Sequence, residues 1–297
     1  MEYEVTHRTL YEYSYPVTVS HHAARLKPLP RPGQELLGFV LQVLPEPGEV
    51  RTRNDFFGNE VAYFSLAHPH KRLEVIARSH VRVKLTEMPA LALSPAWEQV
   101  VGIFSDPISP QVIDPYQFSF PSPLVRPTPE IAEFARPCFE PGRPLLEAVE
   151  ALNAMIHREF KFDPKATTVA TPLEEVFENR AGVCQDFAHV GIACLRSLGL
   201  PARYVSGYIR THPPEGQERL RGADASHGWF SVYCPDLGWI DFDPTNNIIP
   251  SDEHIWVAEG RDYTDVAPVS GILHGGGEHE IKVEVDVLEV ESSPLPG

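Results

Sequence analysis

Alternation of apolar and polar positions dominates the first third of the chain. From Tyr3 to Tyr15, aromatic or branched side chains alternate with polar ones, the period of a half-buried strand. Residues 36–44 and 61–66 repeat the theme, with Phe57-Gly58-Asn59-Glu60 as a hairpin turn, and 73–85 supplies one more strand. Together they predict a small antiparallel β-sandwich over residues 1–88. Residues 89–128 lose the alternation. They are rich in proline, serine and aromatics, and read as a connector with a short helix near Trp97.

From Pro129 the period lengthens. Leu145, Val149, Leu152, Ile156 and Phe160 recur at helical spacing, which predicts a helix over 145–160 with one buried face. A second helix is expected over 172–179, with Thr171 as N-cap and Glu174 completing a capping box. A third is expected over 183–198, stopped by Gly199. Strands follow at 202–209, 227–234 and 239–243, the last two joined by Pro235-Asp236-Leu237-Gly238. Ile281, Val283, Val285 and Val287 mark a final strand, assigned with the rest to a second domain over 129–297.

Composition narrows the partners. A chain of 297 residues with 42% hydrophobic and 22% charged residues has enough apolar mass for two cores. A net charge of −16 repels a phosphate backbone and an anionic membrane surface, so neither nucleic acid nor membrane is expected. No apolar run approaches the ~18 residues of a spanning helix. The polar, acidic start carries no secretory signal. With four cysteines, too few for a disulfide scaffold, this points to reduced thiols in the cytoplasm. No histidines stand at metal-ligand spacing with cysteines or carboxylates, so no metal and no cofactor is expected.

Cys184 is the residue placed for chemistry. It opens a helix, where unpaired backbone N–H groups and the helix dipole favour the negative charge of a thiolate. The plainer reading, a small buried core residue, fits Cys194 better, which lies mid-helix among Ile192, Ala193 and Leu195. Cys138 and Cys234 read as structural. A thiolate needs a base. His189 lies five residues along the same helix and about 140° around it, out of reach. His227, opening a strand after a polar loop, is the candidate. Asp243, at the end of the adjoining strand, is the candidate to orient it, with Asp241 on the same face as its rival. Register constrains the pair. If Cys234 paired with Trp239, His227 and Asp243 would face opposite ways. A common face demands an odd loop or a bulge near 235–239.

Gly182-Val183-Cys184-Gln185-Asp186-Phe187-Ala188-His189 resembles the nucleophile motif of transglutaminase-like proteins. Leu198 to Tyr208 resembles the segment after it. Asp224-Ala225-Ser226-His227-Gly228-Trp229-Phe230 resembles the histidine motif, and Gly238 to Asn246 the aspartate motif. Arg261-Asp262-Tyr263 and Gly271 fit as well. The Tyr-rich first strand, Arg25-Leu26-Lys27-Pro28 and Phe57-Gly58-Asn59 resemble the β domain that precedes this core in bacterial members.

The resemblance implies an α+β fold: a papain-like core of helices on an antiparallel sheet, preceded by an all-β sandwich. It implies Cys184 as nucleophile, His227 as general base then acid, and Asp243 as orienter. The implied reaction is acyl transfer on a peptide or protein amide through a thioester, with water or an amine as acceptor. Tyr208, Asp224 and Trp229 are expected to line the cleft, Trp229 being equally readable as core. Gly228 stands where an alanine is common, Asp241 where a glycine is common, and Phe162 where many relatives have tyrosine. The alternative is a silent peptide-binding module that uses the same cleft.

Overall fold

The computed structural model of the chain describes residues 1–84, 90–105, 110–211 and 226–290. Five strands come first: β1 (Glu2–Ala24), β2 (Gln34–Leu44), β3 (Val50–Asn54), β4 (Glu60–Leu66) and β5 (His70–Val83). Helices α1 (Trp97–Ser105), α2 (Pro110–Tyr116), α3 (Pro129–Ala135) and α4 (Leu145–Glu159) follow, then β6 (Lys161–Phe162), α5 (Leu173–Asn179), β7 (Ala181–Gly182) and α6 (Cys184–Ser197). The remainder is β8 (Ala202–Ile209), β9 (Ser226–Cys234), β10 (Gly238–Phe242), β11 (His254–Gly260), α7 (Tyr263–Val266), β12 (Val269–Gly275) and β13 (His279–Val290). No helix among the described residues is long and apolar enough to cross a membrane.

β1 runs for 23 residues and serves two leaves. Its first half pairs with β5 and β13, giving the order β2-β5-β1-β13; its second half pairs with β4 and β12, giving β3-β4-β1-β12. Tyr13, Val17, Val43, Phe64, Leu66, Leu73 and Val75 from the two leaves share one core. The expected β-sandwich region is therefore all-β, with one correction. The last strand does not close the second domain. Its residues 279–290 lie along Glu2–Tyr13, because Val285 and Val287 need an apolar face to cover and β1 offers an open edge.

The second sheet has the order β10-β9-β8-β11 and is antiparallel throughout. Helix α6 lies against it and is buried on nearly every side, including the polar Gln185, Asp186, His189 and Arg196. Its closest approach is at Gly191, where a methyl group would fall 2.6 Å from the Phe230 ring. Glycine there lets the ring pack on the helix backbone, and burying Phe230 contributes about 2 kcal/mol. The start of α6 is fixed by Asp186, whose carboxylate accepts from the Val183 N–H at 2.8 Å and from the Thr167 hydroxyl at 2.6 Å. Gly182 must lack a side chain, since a Cβ would meet Asp186 Cβ at 2.8 Å. Gly199, at φ +81°, ends the helix as expected. Helix α5 differs from expectation: its N-cap is Pro172, and the Thr171 hydroxyl accepts from the Thr168 N–H at 2.9 Å instead.

Candidate active site

Cys184 stands at the first turn of α6, half-buried, and the other three cysteines are buried; all four are free thiols. Burial pushes the Cys194 and Cys138 thiols up, and pushes Cys234 up to about 11 with Asp236 adding to it. Only Cys184 therefore combines exposure with a helix amino end. The first N–H groups of α6, those of Cys184 and Gln185, have no intrahelical acceptor.

β9 and β10 supply the partners. Gly238 pairs with Cys234, so the connection is the three-residue loop Pro235-Asp236-Leu237, the odd loop that a common face requires. Asp236 and Gly238 take positive φ, 66° and 79°, to make it. Asp241 then faces Ser231, and Asp243, one residue beyond the last pair, comes to the face of Trp229 and His227. His227 Nε2 lies 2.7 Å from Asp243 Oδ2. Its imidazole lies near enough to Cys184 for that side chain to favour the ring's charged form. Nε2 being taken by the carboxylate, Nδ1 is left for the thiol.

The Asp243 carboxylate is fully buried and accepts from four donor groups besides His227. Oδ1 takes the N–H groups of Thr245 at 2.9 Å and Asn246 at 3.2 Å. Oδ2 takes Asn246 Nδ2 at 2.7 Å and His254 Nε2 at 3.2 Å, beside His227. Burial alone would raise this carboxyl, but the bonds to His227 and His254, then Asn246, hold it well below the usual carboxylate range. Desolvation likewise works against the His227 cation. The hydrogen bonds to Asp243 and Cys184 and their charges outweigh it, and the imidazole is pushed up to about 10. The arrangement thus favours the charged form of the imidazole beside Cys184.

Asp241, the rival orienter, is occupied elsewhere. It accepts from the Ser231 hydroxyl, from Trp256 Nε1 at 3.1 Å and from Arg31 at 3.2 Å. His189 accepts the Tyr263 N–H at 3.2 Å and is a structural residue. Two expected cleft residues lie in the core. Tyr208 is buried, its hydroxyl 3.0 Å from His7 Nδ1 of β1, so it joins the two sheets. Trp229 is wholly buried behind His227, ring centroids 5.8 Å apart, and packs edge-on against His254 and Trp256. The register turns them to opposite faces of the sheet, and both faces are covered there. Asp224 lies outside the described residues. Phe162 is exposed and pairs with Gly182, two residues before the cysteine, so an apolar ring rather than a phenol borders the site.

His254 was not singled out by sequence. It stands just before the apolar run Ile255-Trp256-Val257-Ala258, and no motif spacing ties it to Asp243. Among the described residues, His227, Asp243 and His254 form the one set of three whose ligand atoms cluster, within 4.8 Å. Both imidazoles already bond the same carboxylate oxygen, so hydrogen bonding accounts for the set without an ion. A cleft of about 700 Å³ lies apart from these residues, lined by His21, His22, Tyr63 and His68 of the first sheet.

Two family descriptions match this chain. Residues 3–82 match the bacterial transglutaminase-like N-terminal region, and residues 132–244 the transglutaminase-like superfamily. An uncharacterized protein of Mycobacterium tuberculosis is 37% identical over 298 residues, covering 99% of this chain and 94% of its own. Another, from Mycobacterium leprae, is 30% identical over 287 residues, covering 96% and 98%. A protein-glutamine gamma-glutamyltransferase of Pseudomonas aeruginosa is 31% identical over 141 residues, 43% of this chain and 21% of that one. Among solved structures, one from Cytophaga hutchinsonii, described as a candidate cysteine protease, superposes with a TM-score of 0.72. It covers 99% of this chain and 93% of its own at 22% identity, a likeness of fold.

Proposed function

The chain belongs to the transglutaminase-like superfamily, and on that premise we propose that it is a cysteine-dependent acyl-transfer enzyme acting on amides of peptides or proteins. The observation that carries this reading is the 2.7 Å hydrogen bond from His227 to the buried Asp243, with Cys184 at the amino end of α6 acting on the same imidazole.

In the first half-reaction the Cys184 sulfur forms a bond to the amide carbonyl carbon. The oxygen takes the negative charge and is met by the Cys184 backbone N–H. His227 gives its proton to the departing nitrogen, the C–N bond breaks, and a thioester remains on Cys184. In the second half-reaction His227, now neutral, takes a proton from water or an amine as that acceptor attacks the thioester. The thiolate and imidazolium are restored. Asp243 keeps the ring oriented and stabilises its cation without taking the proton, since its carboxyl is held far too acidic. The named activity of the Pseudomonas relative supports a glutamine side-chain amide as acyl donor.

The test is intact-mass analysis of the protein with a library of glutamine-containing peptides, with and without an added primary amine. A mass increase on Cys184 that is lost in Cys184→Ala, and consumed faster when amine is present, is the expected result. Absence of any acyl adduct, together with iodoacetamide labelling of Cys184 no faster than a free thiol, would leave a peptide-binding module as the better reading.

A further inference from the structure

Asp243 is held by a residue outside the reacting set. His254 is wholly buried at the start of β11, on the far edge of the sheet from β10, and directs Nε2 at Asp243 Oδ2, 3.2 Å away. The carboxylate can only accept, so that nitrogen carries the proton. Nδ1 is then the lone pair, and it takes the Ser251 N–H at 3.4 Å. One tautomer satisfies both ends of the ring. Most other donors to Asp243 come from its own turn, Thr245 and Asn246. His227 is the group being oriented. His254 is therefore the donor that fixes the carboxylate relative to the sheet.

The strand beneath His254 is fixed in turn. β11 is the edge of its sheet, with β8 on one side only. A buried edge leaves backbone N–H and C=O groups that need partners. Here two amide side chains from the first 60 residues occupy the place of a fifth strand. Gln34 accepts the Trp256 N–H at 2.9 Å and donates to the Trp256 carbonyl at 2.8 Å. Asn59 does the same at Glu259, with both bonds at 2.8 Å. A primary amide presents one donor and one acceptor much as a peptide group does, so each side chain stands in for a neighbouring strand. Both are buried. Arg31 adds a guanidinium 4.5 Å over the Trp256 ring and a pair with Asp241.

We infer that His254 is a positioning residue for Asp243, and that Gln34 and Asn59 hold the strand that presents it, making the N-terminal sheet part of the catalytic unit. This rests on the reading of Cys184, His227 and Asp243 given above. Through His254 the N-terminal sheet acts on the orientation of His227, not on substrate.

Iodoacetamide is the probe, because it reports the thiolate–imidazolium pair without a known substrate. Its rate with Cys184 is measured by peptide mapping between about pH 5 and 10 on the full chain. The wild type is expected to show a plateau below the range of an ordinary thiol, about pH 8.5. His254→Phe keeps the ring volume and removes the donor. It should lower the plateau about tenfold, the loss of one hydrogen bond to a charged group. His254→Gln restores an N–H near the same reach and should recover most of the plateau. Gln34→Leu should lower it part of the way, at an unchanged folded fraction by circular dichroism. An unaltered plateau in His254→Phe overturns the inference, as does equal loss in the Phe and Gln variants, which would mark a purely structural role. His227→Ala is the control. If it keeps the plateau, the ion-pair reading itself falls, and this inference with it.

Discussion

Replacing Gly228 by alanine adds one methyl group immediately beside His227. That methyl would lie 2.7 Å from Tyr204 Cζ and closer still to the phenolic oxygen, where real contacts do not go below 3.0 Å. Tyr204 has little room to retreat. It is buried, with His189 5.2 Å and Tyr263 6.2 Å away between ring centroids. Overpacking of this kind costs about 1–3 kcal/mol. We expect Gly228→Ala to lower the unfolding free energy by about 2 kcal/mol, roughly a thirtyfold change in the folding equilibrium. Tyr204→Phe removes the worst of the clash and leaves the tighter ring contact. The double variant should then recover about 1 kcal/mol relative to the sum of the singles. Urea unfolding of the four proteins, followed by tryptophan fluorescence, measures this coupling. Wild-type stability in Gly228→Ala, or additivity within about 0.5 kcal/mol, would refute the steric account. It would also refute the explanation it offers for glycine at this position: the space is filled by Tyr204.

Other expectations can be checked alongside. Asp243→Asn should slow acylation of Cys184 by about 10²–10⁴-fold in single-turnover assays, since an amide cannot accept from all the donors that surround the carboxylate. His227 is pushed up to about 10, above its ordinary 6.5, so folding favours its protonated form. Its stabilising contribution is complete below about pH 6.5 and is lost as pH rises toward 10, and the difference in denaturation midpoint between wild type and His227→Ala should shrink over that window. Asp241→Asn should cost about 2 kcal/mol by urea unfolding, through Arg31 and Trp256, while the alkylation profile of Cys184 keeps its shape. Treatment with EDTA should leave that profile unchanged, because His227, Asp243 and His254 satisfy one another.

Much of the site was legible because strand parity is a strict rule. Placing His227 and Asp243 on one face required an odd connection, and the three-residue loop at 235–237 supplies it. Cys184 was legible from helix-end physics, and its motif from the family resemblance. His254 was not. It stands before Ile255-Trp256-Val257-Ala258, an apolar run without alternation, and meets Asp243 only after the chain has turned back along β8. Tyr208 and Trp229 were expected in the cleft from the motif segments in which they lie. Which face of a strand is buried depends on what covers it, and β1 covers Tyr208 through His7. The final strand showed its period plainly, but period does not identify a partner, and its partner lies at the other end of the chain, Glu2 against Val290.

That last pairing bears on how the protein can be dissected. Glu2 to Tyr13 lies between His70–Val83 on one side and His279–Val290 on the other, so a cut near residue 88 separates β1 from both strands it joins at the far terminus. A fragment starting there would carry β12 and β13 as unpaired, sticky ribbons, prone to join other chains. Shorter working versions would have to splice the two ends together, for instance by circular permutation where Glu2 lies beside Val290, rather than discard one of them.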